Sequence, residues 1–185
     1  FGTQPGTSGP VYVGAFVLFL FILGLFLVKG TMKWALLAAT ILSVLLSWGH
    51  NFMGFTNFFL DYIPMYAKFR TVASILVIAE FTIPLLAALT LKRLVDEPEL
   101  LGQKMKYAYI SLGLTAGVAL LVAVFPDMMG PFVSDQERQM INSIQGMDSN
   151  TAGTILANVS AMRAAMVSSD AWRSVIVILI GFALL

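Results

Sequence analysis

The stretch GHNFMGFTNFFLDYIPMYAKFR, residues 49–70, gathers seven aromatic rings with His50, Asn51, Asp61, Lys68 and Arg70 between two nearly pure hydrocarbon runs. Lys68 and Arg70 together suit a phosphate: Arg offers a planar fork of donors and Lys a compact point charge. At the edge of a membrane a low dielectric strengthens such contacts, and the start of the following helix adds partial positive charge. The alternative is that both cations reach up to lipid headgroups from a helix start. His50 has the titration range for acid or base work, or serves as a hydrogen-bonded interfacial residue. Phe52, Phe55, Phe59, Tyr62, Tyr66 and Phe69 recur every three or four residues, the spacing of an aromatic helix face. Pro64 interrupts that face, so the spacing predicts a short interfacial or re-entrant helix followed by a bend. An aromatic belt at headgroup depth accounts for the rings alone; Arg70, Lys68, His50, Asp61, Tyr62 and Tyr66 are the candidate ligand contacts.

Glu80 is the other residue that asks for chemistry. It falls near the middle of the apolar run that follows, where an ionised carboxylate facing lipid costs at least ~3 kcal/mol. It must face protein or water, either as a hydrogen-bonded packing residue or as part of a polar cavity. Pro84, four residues on, leaves the Glu80 carbonyl without its helical donor.

Composition sets the class to which these residues belong. The chain has 185 residues, 58% hydrophobic and 11% charged, which is a membrane protein's balance. Net charge is +1, so no overall field argues for a nucleic-acid partner. The absence of cysteine excludes disulfides, thiolate metal sites and cysteine nucleophiles. A single histidine gives no ground for a zinc or di-metal cluster, while a phosphate-associated divalent ion stays open; the cofactor is unknown.

Run length predicts an all-α, polytopic transmembrane helix bundle with four complete spans and one truncated span. The spans are read at residues 11–28, 34–48, 71–91 and 107–125, with Pro10 suited to the first helical position; a fifth begins near Trp172. Residues 1–125 then form the bundle portion, 126–171 an outer helical segment, and 172–185 the start of the last span. The chain opens on Phe1, has no basic segment before a short apolar core, and stops inside VIVILIGFALL, which reads as an internal portion of a larger protein. Loops 29–33 and 92–106 hold Lys29, Lys33, Lys92, Arg93, Lys104 and Lys106, against five basic residues elsewhere. The positive-inside rule then puts both loops in the cytoplasm and residues 49–70 and 126–171 outside.

In the outer segment, SDQE predicts a capping box with Ser134 at the N-cap and Glu137 three residues on, opening a short helix that ends by Gly146. A second, amphipathic helix carries Ile155, Leu156, Val159, Met162 and Met166, a stripe that needs either the membrane surface or another outer element. Asp170 ahead of AWRS reads as an N-cap for the last span. Gly113-x-x-x-Gly117 fits close packing of helices.

At GPVYVGAFVLFLFILGLFLVKG, LLSWGHNFMGFTNFFLDYIPMYAKFR, FRTVASILVIAEF and SDAWRS the sequence resembles the YfhO-type family of large bacterial polytopic membrane proteins. The family often follows its Phe-Arg with a Val-Pro-Ser-Arg-like string. Here Phe69-Arg70 leads into Thr71-Val72-Ala73-Ser74, without the proline or the second arginine. The resemblance implies a GT-C-like integral-membrane glycosyltransferase in the cytoplasmic membrane, using a polyprenyl-phosphate-linked sugar at its outer face. Its partners would be the lipid bilayer, that lipid-linked sugar and the remainder of the parent chain. The superfamily's principal carboxylate lies on a first outer loop to which no position here is matched, so no catalytic residue is carried over. The other readings are a transporter or flippase centred on Glu80, Pro84 and the glycines, and a non-enzymatic assembly module docking through residues 126–172.

Overall fold

A computed structural model describes residues 12–47, 54, 57, 72–130, 132–144 and 148–185. Among them it is all-helical: α1 Ala15–Leu27, α2 Met32–Ser47, α3 Val77–Asp96, α4 Glu99–Gln103, α5 Met105–Val124, α6 Asp135–Asn142 and α7 Ser149–Leu184. Two 3-10 turns, Val72–Leu76 and Pro126–Met129, precede α3 and follow α5. Three helical stretches are long and apolar enough to cross a membrane: Ser74–Asp96, Met105–Val124 and Asn150–Leu184. The chain is thus a helical protein of membrane character. α1 and α2 are apolar but shorter, 13 and 16 residues. The first helix starts at Ala15 rather than beside Pro10, because Gly14 takes a left-handed φ of 90° that breaks the helical path there.

The chain divides into two compact units, Gly2–Thr115 and Ala116–Leu185, and the division falls inside α5. In the first unit α3 packs on both α1 and α2. Phe21, Ala79, Ile83 and Leu86 form its buried cluster, flanked by Val17, Leu25, Leu37 and Val44. Lipid is as apolar as these side chains, so association here rests on close fit and on hydrogen bonds between helices. The close fit is at Gly24 of α1, where an added Cβ would run into the Thr90 hydroxyl and crowd Leu86. Among the described residues Gly24 is thus a packing glycine, while added Cβ atoms at Gly113 and Gly117 would meet nothing within 4 Å.

In the second unit the capping box is present: Glu137 N–H donates to Ser134 Oγ at 3.2 Å, and Ser134 N–H to Glu137 Oε2 at 2.9 Å. α6 ends at Asn142, before Gly146, with the Ser143 N–H closing onto the Gln139 carbonyl. The expected break at Asp170 is absent, and the amphipathic stretch and the last apolar run are one 36-residue helix, α7. Asp170 is not a cap: its carboxylate meets Arg173 one turn on at 3.5 Å, and its carbonyl accepts from Ser174 Oγ at 2.9 Å. With no proline between 149 and 184, nothing in the backbone enforces a stop.

Candidate functional site

His50, Asp61, Tyr62, Tyr66, Lys68 and Arg70 lie outside the described residues. The elements that flank them are described, and they are tied together by hydroxyls. Ser43, fully buried near the end of α2, donates to the Ile75 carbonyl in the turn before α3 at 2.6 Å. One turn further along, the Thr40 and Thr82 hydroxyls meet at 2.7 Å in a buried contact, each also bonded to a carbonyl of its own helix, Leu36 and Ile78. Inside an apolar bundle each hydroxyl needs such a partner, so the pairing fixes α2 against α3 in a definite register. The chain therefore leaves α2 and re-enters the bundle at neighbouring points. Sequence reasoning passed over this seam; its signal was Thr40 and Ser43 three apart on one helix face, with Thr82 in the facing apolar run.

Glu80 belongs to the same end. The membrane-length stretch begins at Ser74 and runs on to Asp96, so Glu80 is in the first turn of α3, about 9 Å along the helix from Ser74. The described helical stretch continues past Leu91 through Lys92 and Arg93 to Asp96, so Glu80 lies nearer its start than its middle. Glu80 is half-buried and has no hydrogen bond or ion pair among the described residues.

The opposite end of this unit carries the basic loops. Phe26 near the end of α1 stacks on Tyr107 at the start of α5, centroids 5.1 Å apart, which brings segments 28–31 and 103–104 to one end. Lys33 Nζ donates to the Leu25 carbonyl in the last turn of α1 at 2.7 Å, and lies 5.3 Å from the centre of the Trp34 ring. Lys106 lies 5.0 Å from the Tyr107 ring. Rings and cations at one level are the composition of a membrane interface.

The second unit holds a polar locus that sequence reasoning missed. Arg163 of α7 donates from Nη2 to Glu137 Oε1 at 2.7 Å and from Nη1 to Glu137 Oε2 at 3.0 Å and the Phe132 carbonyl at 2.6 Å. The fork-on-fork geometry makes this the strongest type of ion pair. Arg163 first, then the Ser134 backbone N–H, holds the Glu137 carboxyl at about 2, below its ordinary 4.5. The clue was a lone arginine on the amphipathic helix with a capping glutamate upstream, but pairing across 26 residues is invisible to local periodicity. No family model matches the chain, and comparison with curated proteins and with solved structures returned no significant relative.

Proposed function

We propose that the chain is the membrane-embedded portion of a GT-C-like glycosyltransferase that takes a polyprenyl-phosphate-linked sugar at the outer face of the cytoplasmic membrane. Its apolar helices cross as four complete spans and the beginning of a fifth, with loops 29–33 and 92–106 cytoplasmic and residues 49–70 and 126–171 outside. Arg70, assisted by Lys68, holds the lipid phosphate; Tyr62 and Tyr66 contact the isoprenoid or sugar, and His50 and Asp61 line the polar side. The observation that supports this reading is the Ser43–Ile75 hydrogen bond, which joins the end of α2 to the turn before α3, the two elements that flank residues 49–70 in sequence, at the end of the unit away from the stacked Phe26 and Tyr107. An outer carboxylate from elsewhere in the whole protein activates the acceptor, and the cations stabilise the departing phosphate. The test is to supply the purified whole protein with polyprenyl-phosphate sugar and follow release of free polyprenyl phosphate. Turnover that disappears in Arg70→Ala, with insertion intact, supports the assignment; no consumption of the donor removes it.

One observation favours a second reading, a carrier for an anionic or lipid-linked substrate. Glu80 is a half-buried carboxylate in a helix of membrane length, with no hydrogen bond or ion pair among the described residues. Proton-coupled flux lost in Glu80→Gln supports that reading, and unchanged flux counts against it.

A further inference from the structure

The depth of α7 in the membrane can be read from one hydrogen bond. Ser168 Oγ donates to the Ala123 carbonyl at 2.6 Å, and Ala123 is one residue from the end of α5 at Val124. α5 has 20 residues and is about 30 Å long, the thickness of a bilayer's hydrocarbon core. Its end at Val124 therefore marks one hydrocarbon boundary, and Ser168 lies at the same level. Residues 169–184 make about 24 Å of helix on one side of that point, and residues 149–167 about 28 Å on the other.

The side chains clustered at that level are of the interfacial kind. Phe125, Met128 and Met129 follow the end of α5 and are 55%, 73% and 41% exposed. They are presented by the Pro126–Met129 turn, closed by Met128 N–H on the Phe125 carbonyl at 3.2 Å, after which Gly130 at φ 99° turns the chain. Trp172, one turn inward of Ser168, is 46% exposed. The exposed Asp170–Arg173 pair sits beside it, and the Arg173 stem is long enough to carry its head back to the headgroups. Asp127 lies within the turn itself, and beyond it in the chain come Asp135, Glu137, Arg138, Asp148 and Arg163, a polar population.

We propose that Phe125, Met128, Met129 and Trp172 form an anchor seated in the headgroup and upper acyl region of one leaflet, and that residues 149–167 stand upright off that surface with α6 clipped to them through Arg163. Phospholipid is the partner because the patch continues directly from a helix of membrane length, at the level where it ends. Continuity of α7 also decides the fate of the stripe at Ile155, Leu156, Val159, Met162 and Met166. A helix whose further half enters the bilayer cannot lay its nearer half flat on the surface. This inference does not depend on the glycosyltransferase reading.

The experiment places single tryptophans in the full chain, reconstituted in phosphatidylcholine–phosphatidylglycerol vesicles carrying bromines at shallow or deep acyl positions. With Trp34→Phe and Trp48→Phe, emission from Trp172 is quenched at least twofold more by shallow than by deep bromines. Met128→Trp, with Trp172→Phe added, behaves the same way, whereas Leu156→Trp in that background is insensitive to bromine and open to aqueous acrylamide. Bromine quenching of Leu156→Trp as strong as that of Trp172 overturns the upright arrangement. Indifference of both Trp172 and Met128→Trp to bromine shows that protein covers the patch, and overturns the anchor. Should the ring replacements prevent folding, cysteine scanning decides in a chain with no cysteine of its own. A membrane-impermeant maleimide labels Thr151→Cys and Asn158→Cys but not Ile178→Cys; protection of the first two contradicts the proposal.

Discussion

The guanidinium of Arg163 lies fork to fork on the carboxylate of Glu137, at 2.7 and 3.0 Å, while the same carboxylate caps its own helix through the Ser134 N–H at 2.9 Å. One glutamate thus starts α6 and docks it on α7. Glu137→Gln and Arg163→Ala are expected to release α6, seen as amide hydrogen exchange in residues 135–142 at least tenfold faster, with α7 inward of Ser168 unchanged. Arg163→Lys restores only part of the protection, since an ammonium cannot engage both oxygens and the Phe132 carbonyl in one plane. Exchange in Glu137→Gln and Arg163→Ala no faster than in the parent chain would mean that the pair does not hold the segment.

The same contact sets a pH dependence. The Glu137 carboxyl is depressed to about 2 in the folded chain against an ordinary 4.5, so its contribution is complete above about pH 4.5 and is lost as pH falls toward 2. Exchange in residues 135–142, corrected for intrinsic rate, should be flat from pH 5 to 8 and rise below pH 4.5. The Glu137→Gln variant should lack that transition. The pair is solvent-exposed, so high salt should weaken docking in the parent and not in the variant.

Gly24 and Thr90 form a size-matched contact. Gly24→Ala places a methyl against the Thr90 hydroxyl and is expected to lower stability by about 1–3 kcal/mol, measured by denaturant titration in detergent micelles. Thr90→Ala in the same chain should recover much of the loss by making room. Gly113→Ala and Gly117→Ala meet open space and should be neutral or slightly stabilising through helix propensity.

The Thr40–Thr82 contact offers a second stability test. Thr82→Val keeps the shape and removes the hydroxyl, with an expected cost of about 0.6–1.7 kcal/mol, the range for hydrogen bonds between membrane helices. The double change Thr40→Val, Thr82→Val should cost less than twice the single one, because no lone hydroxyl is left facing apolar neighbours. Strict additivity in that cycle would show that the two hydroxyls are not coupled.

Helical class, membrane character and the capping box at Ser134 were legible because each is written locally, in run length or in a four-residue pattern. Depth and continuity were not. Hydropathy weakens at Lys92 and Arg93, which puts Glu80 near the middle of the apolar run, yet α3 continues to Asp96. Asp170 looked like a cap because aspartate before an apolar run often is one, and only the unbroken backbone of α7 shows otherwise. The glycine pair at Gly113 and Gly117 matches a familiar spacing, while among the described residues the close helix contact is at Gly24. Pairings such as Arg163–Glu137 and Ser43–Ile75 join distant parts of the chain, and no local pattern encodes them. Of the residues expected to bind ligand, Glu80 alone lies among those described.

We propose that Arg70 receives a lipid phosphate. It is tested most directly by the affinity of the whole protein, in nanodiscs, for polyprenyl phosphate, compared among wild type, Arg70→Ala and Arg70→Lys. The account predicts binding at least tenfold weaker in Arg70→Ala, partial recovery in Arg70→Lys, and no change in thermal stability for either. Affinity equal to wild type in a folded, inserted Arg70→Ala would contradict it.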